Sequence, residues 1–192
     1  MKAFTLYEMI ITLFVMTILF SIAFKSPVFH EKIYYLNQAT KKLSDALHLA
    51  QDAALSNNKI NDEKICAVGI KFNTSSYEGV AFYAPTEDCE AYFNNHKEEF
   101  VRINAFLQQD GSISAVKNNL QLFEQFKGTL LVDNCSRSIK DYKILFLNPY
   151  GEVIFFDSVN KEISSDSLLI CLKYSDESKQ IKINKFGQIT TE

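Results

Sequence analysis

The sequence predicts an α+β protein in which a long N-terminal helix, transmembrane at first and amphipathic beyond, packs on a small antiparallel β-sheet domain. Three observations predict it. Residues 9–24 form a nearly unbroken apolar run, and residues 29–54 repeat apolar side chains at steps of three and four. From Ile65 onward the spacing shortens to that of strands, with turn residues between the segments. A helical period followed by several strand periods is the pattern of a helix covering one face of a sheet.

The first stretch sets the organisation. From Phe4 to Phe24 there are about 21 residues, which as a helix rise roughly 31 Å, close to the thickness of a bilayer's hydrocarbon core. Its one charge, Glu8, lies a turn inside the apolar block, where an isolated carboxylate costs on the order of 2.5–3.5 kcal/mol. Such a charge calls for a partner. A cut between Ala3 and Phe4 would free an α-amine at Phe4, four residues before Glu8, and the two charges would meet within one helix or between staggered helices.

Ala3, then Phe4-Thr5-Leu6-Tyr7-Glu8 and the apolar run resemble the start of the type IV pilins and pseudopilins. The resemblance implies that a prepilin peptidase cuts between Ala3 and Phe4, that Phe4 is then N-methylated, and that Glu8 guides subunit assembly. It also implies the lollipop shape of that group. Ala3 stands where Gly is commoner, and the leader is only three residues long. On this reading residues 1–3 are a leader peptide, 4–27 the transmembrane and assembly segment, 28–58 the amphipathic continuation and 59–192 an exported β-rich domain.

Two plainer readings compete. An ordinary secretory signal would use Lys2 as its basic start and Ser21-Ile22-Ala23 as its cleavage site. It leaves Glu8 unexplained and discards a helix that continues in register. An uncleaved signal anchor leaves Glu8 equally unexplained. With Lys2 retained inside, the bulk of the chain lies outside the cytoplasm.

Pro27 follows the apolar run and is read as a kink rather than a break. Beyond it Phe29, Ile33, Leu36, Leu43, Leu47, Ala50 and Ala54 fall on one helical face, until Asn57-Asn58 gives a stop signal. The helix is therefore expected from Phe4 to Ser56, roughly 80 Å. Strands are expected near 65–72, 79–84, 100–106, 129–132, 144–147, 153–156, 168–174 and 181–183. Asn148-Pro149-Tyr150-Gly151 reads as a hairpin turn. Residues 86–99 and 112–127 read as insertions, the second with a short helix through Val116, Leu120 and Phe123.

Within the pilin group, the stretch from Leu43 to Asn58 is similar to the helix end of the minor pseudopilins of the GspH/FimT type. The late turns Asn148-Pro149-Tyr150-Gly151 and Phe186-Gly187-Gln188-Ile189 are similar to their glycine-containing terminal strands. Gln51 stands where that group usually has a basic residue.

Composition narrows the alternatives. With 192 residues, 47% hydrophobic and 22% charged, the chain suits one anchor and one domain. A net charge of -3 gives no general basic footprint for nucleic acid. Cys66, Cys89, Cys135 and Cys171 show no C-x-x-C pair, and an even count in an exported domain fits disulfides. Three connectivities are open. Sequence-local pairing, Cys66 with Cys89 and Cys135 with Cys171, is preferred to four buried free thiols.

Catalytic signatures are missing from the sequence. His30, His48 and His96 are scattered, and no H-E-x-x-H, G-x-S-x-G, P-loop or G-x-G-x-x-G occurs. His48 and Asp52 are two ligands at most, read as a helix-surface pair. Asp110-Gly111-Ser112, Asp133-Asn134 and Asp157-Ser158 read as turns rather than calcium loops. Lys173, Lys179, Lys182 and Lys185 read first as a solvated strand face and otherwise as a contact for a DNA backbone.

The expected function is structural: a minor pilin or pseudopilin of a type IV pilus, type II secretion or competence machine, assembled through its N-terminal helix. No catalytic residue, metal or cofactor is expected. The resemblance implies other pilins, the prepilin peptidase, an inner-membrane assembly platform and lipid as partners. It places the chain in the bacterial inner membrane as a single-pass protein, with its domain outside the cytoplasm, and in a filament after assembly. The alternative is a tethered or secreted ligand-binding domain, for example one that captures DNA.

Overall fold

The computed structural model describes residues 5–56, 59–60, 63–73, 76–84, 88–95, 105–108, 112–114, 128–132, 135–148 and 150–191, with the backbone alone at 22–30 and 60. Helix α1 runs unbroken from Leu6 to Leu55, so Pro27 does not end it. Thr5 caps its start and Ser56 its end, where the Ser56 N–H donates to the Asp52 carbonyl at 3.0 Å. Leu36, Ala39, Leu43, Ala46, Leu47, Ala50, Ala53 and Ala54 are buried on one face. Small alanines between the leucines let strands approach closely, and each fully buried Leu contributes about 1.5–3 kcal/mol.

The strands follow as β1 (Lys59–Ile60), β2 (Glu63–Phe72) and β3 (Tyr77–Ala84), then helix α2 (Cys89–Asn95). After α2 come β4 (Phe106–Leu107), β5 (Ile113–Ser114), β6 (Thr129–Val132), β7 (Arg137–Ser138), β8 (Lys143–Leu147) and β9 (Val153–Phe156). The chain closes with β10 (Ser167–Tyr174), β11 (Glu177–Asn184) and β12 (Ile189–Thr191). All pairs are antiparallel. In the first sheet β3, β2, β8 and β9 lie side by side, with β1 beside the start of β2. The second sheet has the order β12-β11-β10-β6-β7, and β4 with β5 forms a small third sheet.

The expected fold class is corrected here on two counts. The strands make three separate sheets instead of one, and α1 packs against β2 and β8 of the first and β10, β11 and β12 of the second. Strand periodicity tells which face of a strand is apolar but not which strand lies beside it, so the split between sheets is invisible in the sequence. The second count is the membrane span. Among the described residues no helix is long and apolar enough to cross a membrane. The transmembrane and single-pass readings are not met.

The first sheet is covered on both faces. Ile65, Val68, Ile70 and Phe72 of β2, with Ile144 and Phe146 of β8, join the core under α1. Cys66, Ala67, Val80, Phe82, Leu145 and Ile154 face the other way, onto Cys89 and Phe93 of α2. A bulge between Ile65 and Ala67 resets the alternation. α2 lies inside the segment read as an insertion; Asp88 starts it by accepting from the Ala91 N–H at 2.9 Å.

Both disulfides have the sequence-local pairing. Cys66 is bonded to Cys89, which fastens α2 to the sheet, and Cys135 to Cys171, which fastens the turn between β6 and β7 to β10. They fit an oxidising compartment outside the cytoplasm.

Candidate functional site

Two turns of α1 carry the residues singled out for assembly. Thr5 and Glu8 form a capping box: the Glu8 N–H donates to Thr5 Oγ1 at 3.4 Å, and Glu8 Oε2 accepts from the Thr5 N–H and hydroxyl, each at 3.0 Å. Glu8 therefore has a local partner within its own helix. The Thr5-x-x-Glu8 spacing ahead of an apolar run carries this signal, but it is overlooked when Glu8 is read only as a charge in lipid. Ala3 and Phe4 lie outside the described residues.

Beyond the cap, α1 is an apolar shaft. From Leu6 to Phe20 the large apolar side chains are 45–80% exposed, and Thr12 and Thr17 return their hydroxyls to helix carbonyls at 2.8–3.0 Å. The polar groups are thus turned inward onto the helix backbone while the outside remains apolar. A contiguous exposed apolar surface of this kind marks an interaction site.

At the other end of α1 two turns converge. Gly151 ends the turn after β8 with φ +69°, and Gly187 ends the turn after β11 with φ +81°. Gln51 Nε2 donates to the Gly187 carbonyl at 3.0 Å, and Asn148 Nδ2 donates to the Ser56 carbonyl at 3.4 Å. Gln51, noted in the sequence only as a departure from a basic residue, ties the helix to the last hairpin. No local signal in the sequence announces a contact across 136 residues.

The four late lysines are not brought together on one face. Lys173 and Lys182 are exposed on the side of the second sheet away from α1. Lys179 is paired with Leu172, so it lies on the helix side, beside Thr40 and Asp45. Lys185 sits in the turn with its Nζ 2.7 Å from Asp166 Oδ1; this pair raises the Lys185 pKa and lowers that of Asp166.

His48 and Asp52 are exposed on the outer side of α1, and among the described residues no group of three or more His, Cys, Asp or Glu could hold a metal. Asp157 Oδ1 accepts from the N–H groups of Val159 and Lys161, each at 2.9 Å, which is turn chemistry. The side chain of His30, together with His96, Asp110-Gly111, Asp133-Asn134, Pro149 and the helix expected through Val116, Leu120 and Phe123, lies outside the described residues. Compared with known proteins, the chain matches no family model, no curated protein and no solved structure.

Proposed function

We propose that this chain is a structural subunit of a pilin- or pseudopilin-like filament, assembled through the apolar start of α1. The observation that carries the reading is the exposed shaft from Leu6 to Phe20, continuous with the helix that forms the spine of the domain. Such a shaft requires an apolar surrounding. Sister helices packed side by side in the filament supply it, with the domain outside the cytoplasm. Prepilin peptidase removes residues 1–3 and leaves Phe4 as the methylated start; an inner-membrane platform passes the subunit into the filament. The chain's part is packing and charge pairing, with no catalytic step of its own.

Glu8 would exchange its bond to the Thr5 N–H, in which only the carboxylate is charged, for the Phe4 amine of a neighbouring subunit, a contact in which both partners are charged. The test compares Glu8→Gln with Glu8→Ala in cells that hold the partner pilins. Gln at this position keeps the capping box but has no charge, so both variants are expected to be cleaved normally and to fail in co-assembly. Intact-protein mass spectrometry should show a methylated Phe4 start. A mature start at Phe24, or normal co-assembly by the Ala variant, refutes the mechanism.

A further inference from the structure

The outer face of the second sheet carries a groove that the filament reading does not use. Ile181 and Ile183 of β11 are buried under α1, so Lys182 and Asn184 point to the opposite side. Their cross-strand neighbours point the same way: Thr190 beside Lys182, and Ser167 beside Asn184. With Phe186 and Gln188 of the turn, these side chains line an open groove of about 600 Å³, within the range of small-ligand sites.

The turn is built to hold Phe186 outward. Asn184 Oδ1 accepts from the Phe186 N–H at 3.1 Å and from the Gln188 N–H at 2.9 Å, while Asn184 Nδ2 donates to Gln188 Oε1 at 3.2 Å. Gly187 supplies the positive φ. Phe186 is nevertheless 79% exposed. A large aromatic ring standing in water on a turn whose backbone is already fixed offers a contact surface at a reduced ordering cost.

Charge decides what kind of ligand suits it. Lys185, 5.9 Å from the centre of the Phe186 ring, is paired with Asp166, which leaves Lys182 as the one cation in excess along this lining. A groove for a polyanion would run several unpaired cations along its length. Here the lining is dominated by two carboxamides and two hydroxyls, groups that both donate and accept, beside one apolar ring face. That combination matches a sugar: hydroxyls around the edge, and C–H bonds on a face that packs on an aromatic ring.

The geometry points to a saccharide-binding groove on the outer face of the second sheet, with Phe186 as its platform and Lys182, Asn184 and Gln188 as its polar contacts. It takes one or two sugar rings of a glycan chain, uncharged or carrying a carboxylate that Lys182 receives. The assignment stands whether or not the filament reading does.

The test is an amide chemical-shift titration of the full chain in a sugar-free zwitterionic detergent. The probes are chitotetraose, tetragalacturonate and an oligothymidylate. The expected result is saturable shifts across residues 182–190 with at least one saccharide, at a dissociation constant on the order of 1 mM. Because Phe186 is exposed, Phe186→Ala should leave the denaturation midpoint unchanged while weakening saccharide binding by about tenfold or more. No saturable shift up to about 10 mM, equal binding by Phe186→Ala, or binding of the oligothymidylate alone with steep salt dependence overturns the assignment.

Discussion

Replacing Gly187 by Ala should destabilise the domain through two separable effects. The backbone there has φ +81°, a conformation that costs a residue with a Cβ roughly 1–2 kcal/mol. The added Cβ would also lie 2.5 Å from Gln51 Nε2 and 3.0 Å from the Gly151 carbonyl oxygen. The amide of Gln51 can swing away, but it then gives up its bond to the Gly187 carbonyl, a loss of about 1 kcal/mol. The backbone of Gly151 belongs to the other converging turn and yields less readily. Together these terms predict a loss of about 2–4 kcal/mol, measured by equilibrium denaturation of the oxidised protein. The Gln51→Ala background supplies the internal control: without the amide only the backbone strain and the Gly151 contact remain, so the two substitutions should cost about 1 kcal/mol less together than the sum of each alone. A Gly187→Ala loss below about 0.5 kcal/mol, or strict additivity with Gln51→Ala, would refute the claim that the helix and the last hairpin meet through this pair.

Three further outcomes are expected. Leu47→Ala, at a fully buried position in the core cluster that holds residues of both sheets, should cost about 2–5 kcal/mol, and a loss below about 1 kcal/mol would place that face of α1 elsewhere. Converting Cys66 and Cys89 together to Ala opens a link across 23 residues, for which loop-closure entropy gives about 3 kcal/mol; α2 should lose its hydrogen-exchange protection first, and uniform loss across both sheets would contradict its role as a separate cover. Burial, and then the charge of Asp45, push the Tyr77 hydroxyl up to about 12. A raised folded value means that stability is intact below the ordinary value near pH 10 and declines as the pH rises through about 12. In an ultraviolet titration of the nine tyrosines the last step should vanish in Tyr77→Phe; its persistence would be the negative result.

The long helix was legible because its signal is local and repeated. Leu36, Leu43, Leu47, Ala50 and Ala54 were expected on one face and are buried there, and the expected end at Ser56 is the observed cap. Strands β6 and β9 have the expected bounds, and both cysteine pairs close short loops. The features that differ depend on a single-residue offset or on which strand lies beside which. Lys179 faces Leu172 rather than Lys173, and that one step puts it on the opposite side from Lys173. Under strict alternation Ile65 and Val68 would point apart; the bulge between Ile65 and Ala67 brings both under α1. α2 is only seven residues long, too short for Cys89 and Phe93 to announce a period. At the candidate assembly site the apolar run is plain in the sequence, and the Thr5-x-x-Glu8 spacing carries the capping bond as well.

Neither disulfide touches α1: one joins β2 to α2, the other joins the β6–β7 turn to β10. The spine of the protein is therefore attached to its body without a covalent cross-link of its own. Tension applied to the shaft along the helix axis would be resisted by apolar packing from Leu36 to Ala54 and by the Gln51 and Asn148 bonds near the far end. The sheets, stitched internally, would hold their shape while the spine slid between them. Mechanical failure should thus begin as extraction of α1 rather than as unravelling of strands, and in a single-molecule pulling experiment the force of that first event should be the same in the oxidised and the reduced protein.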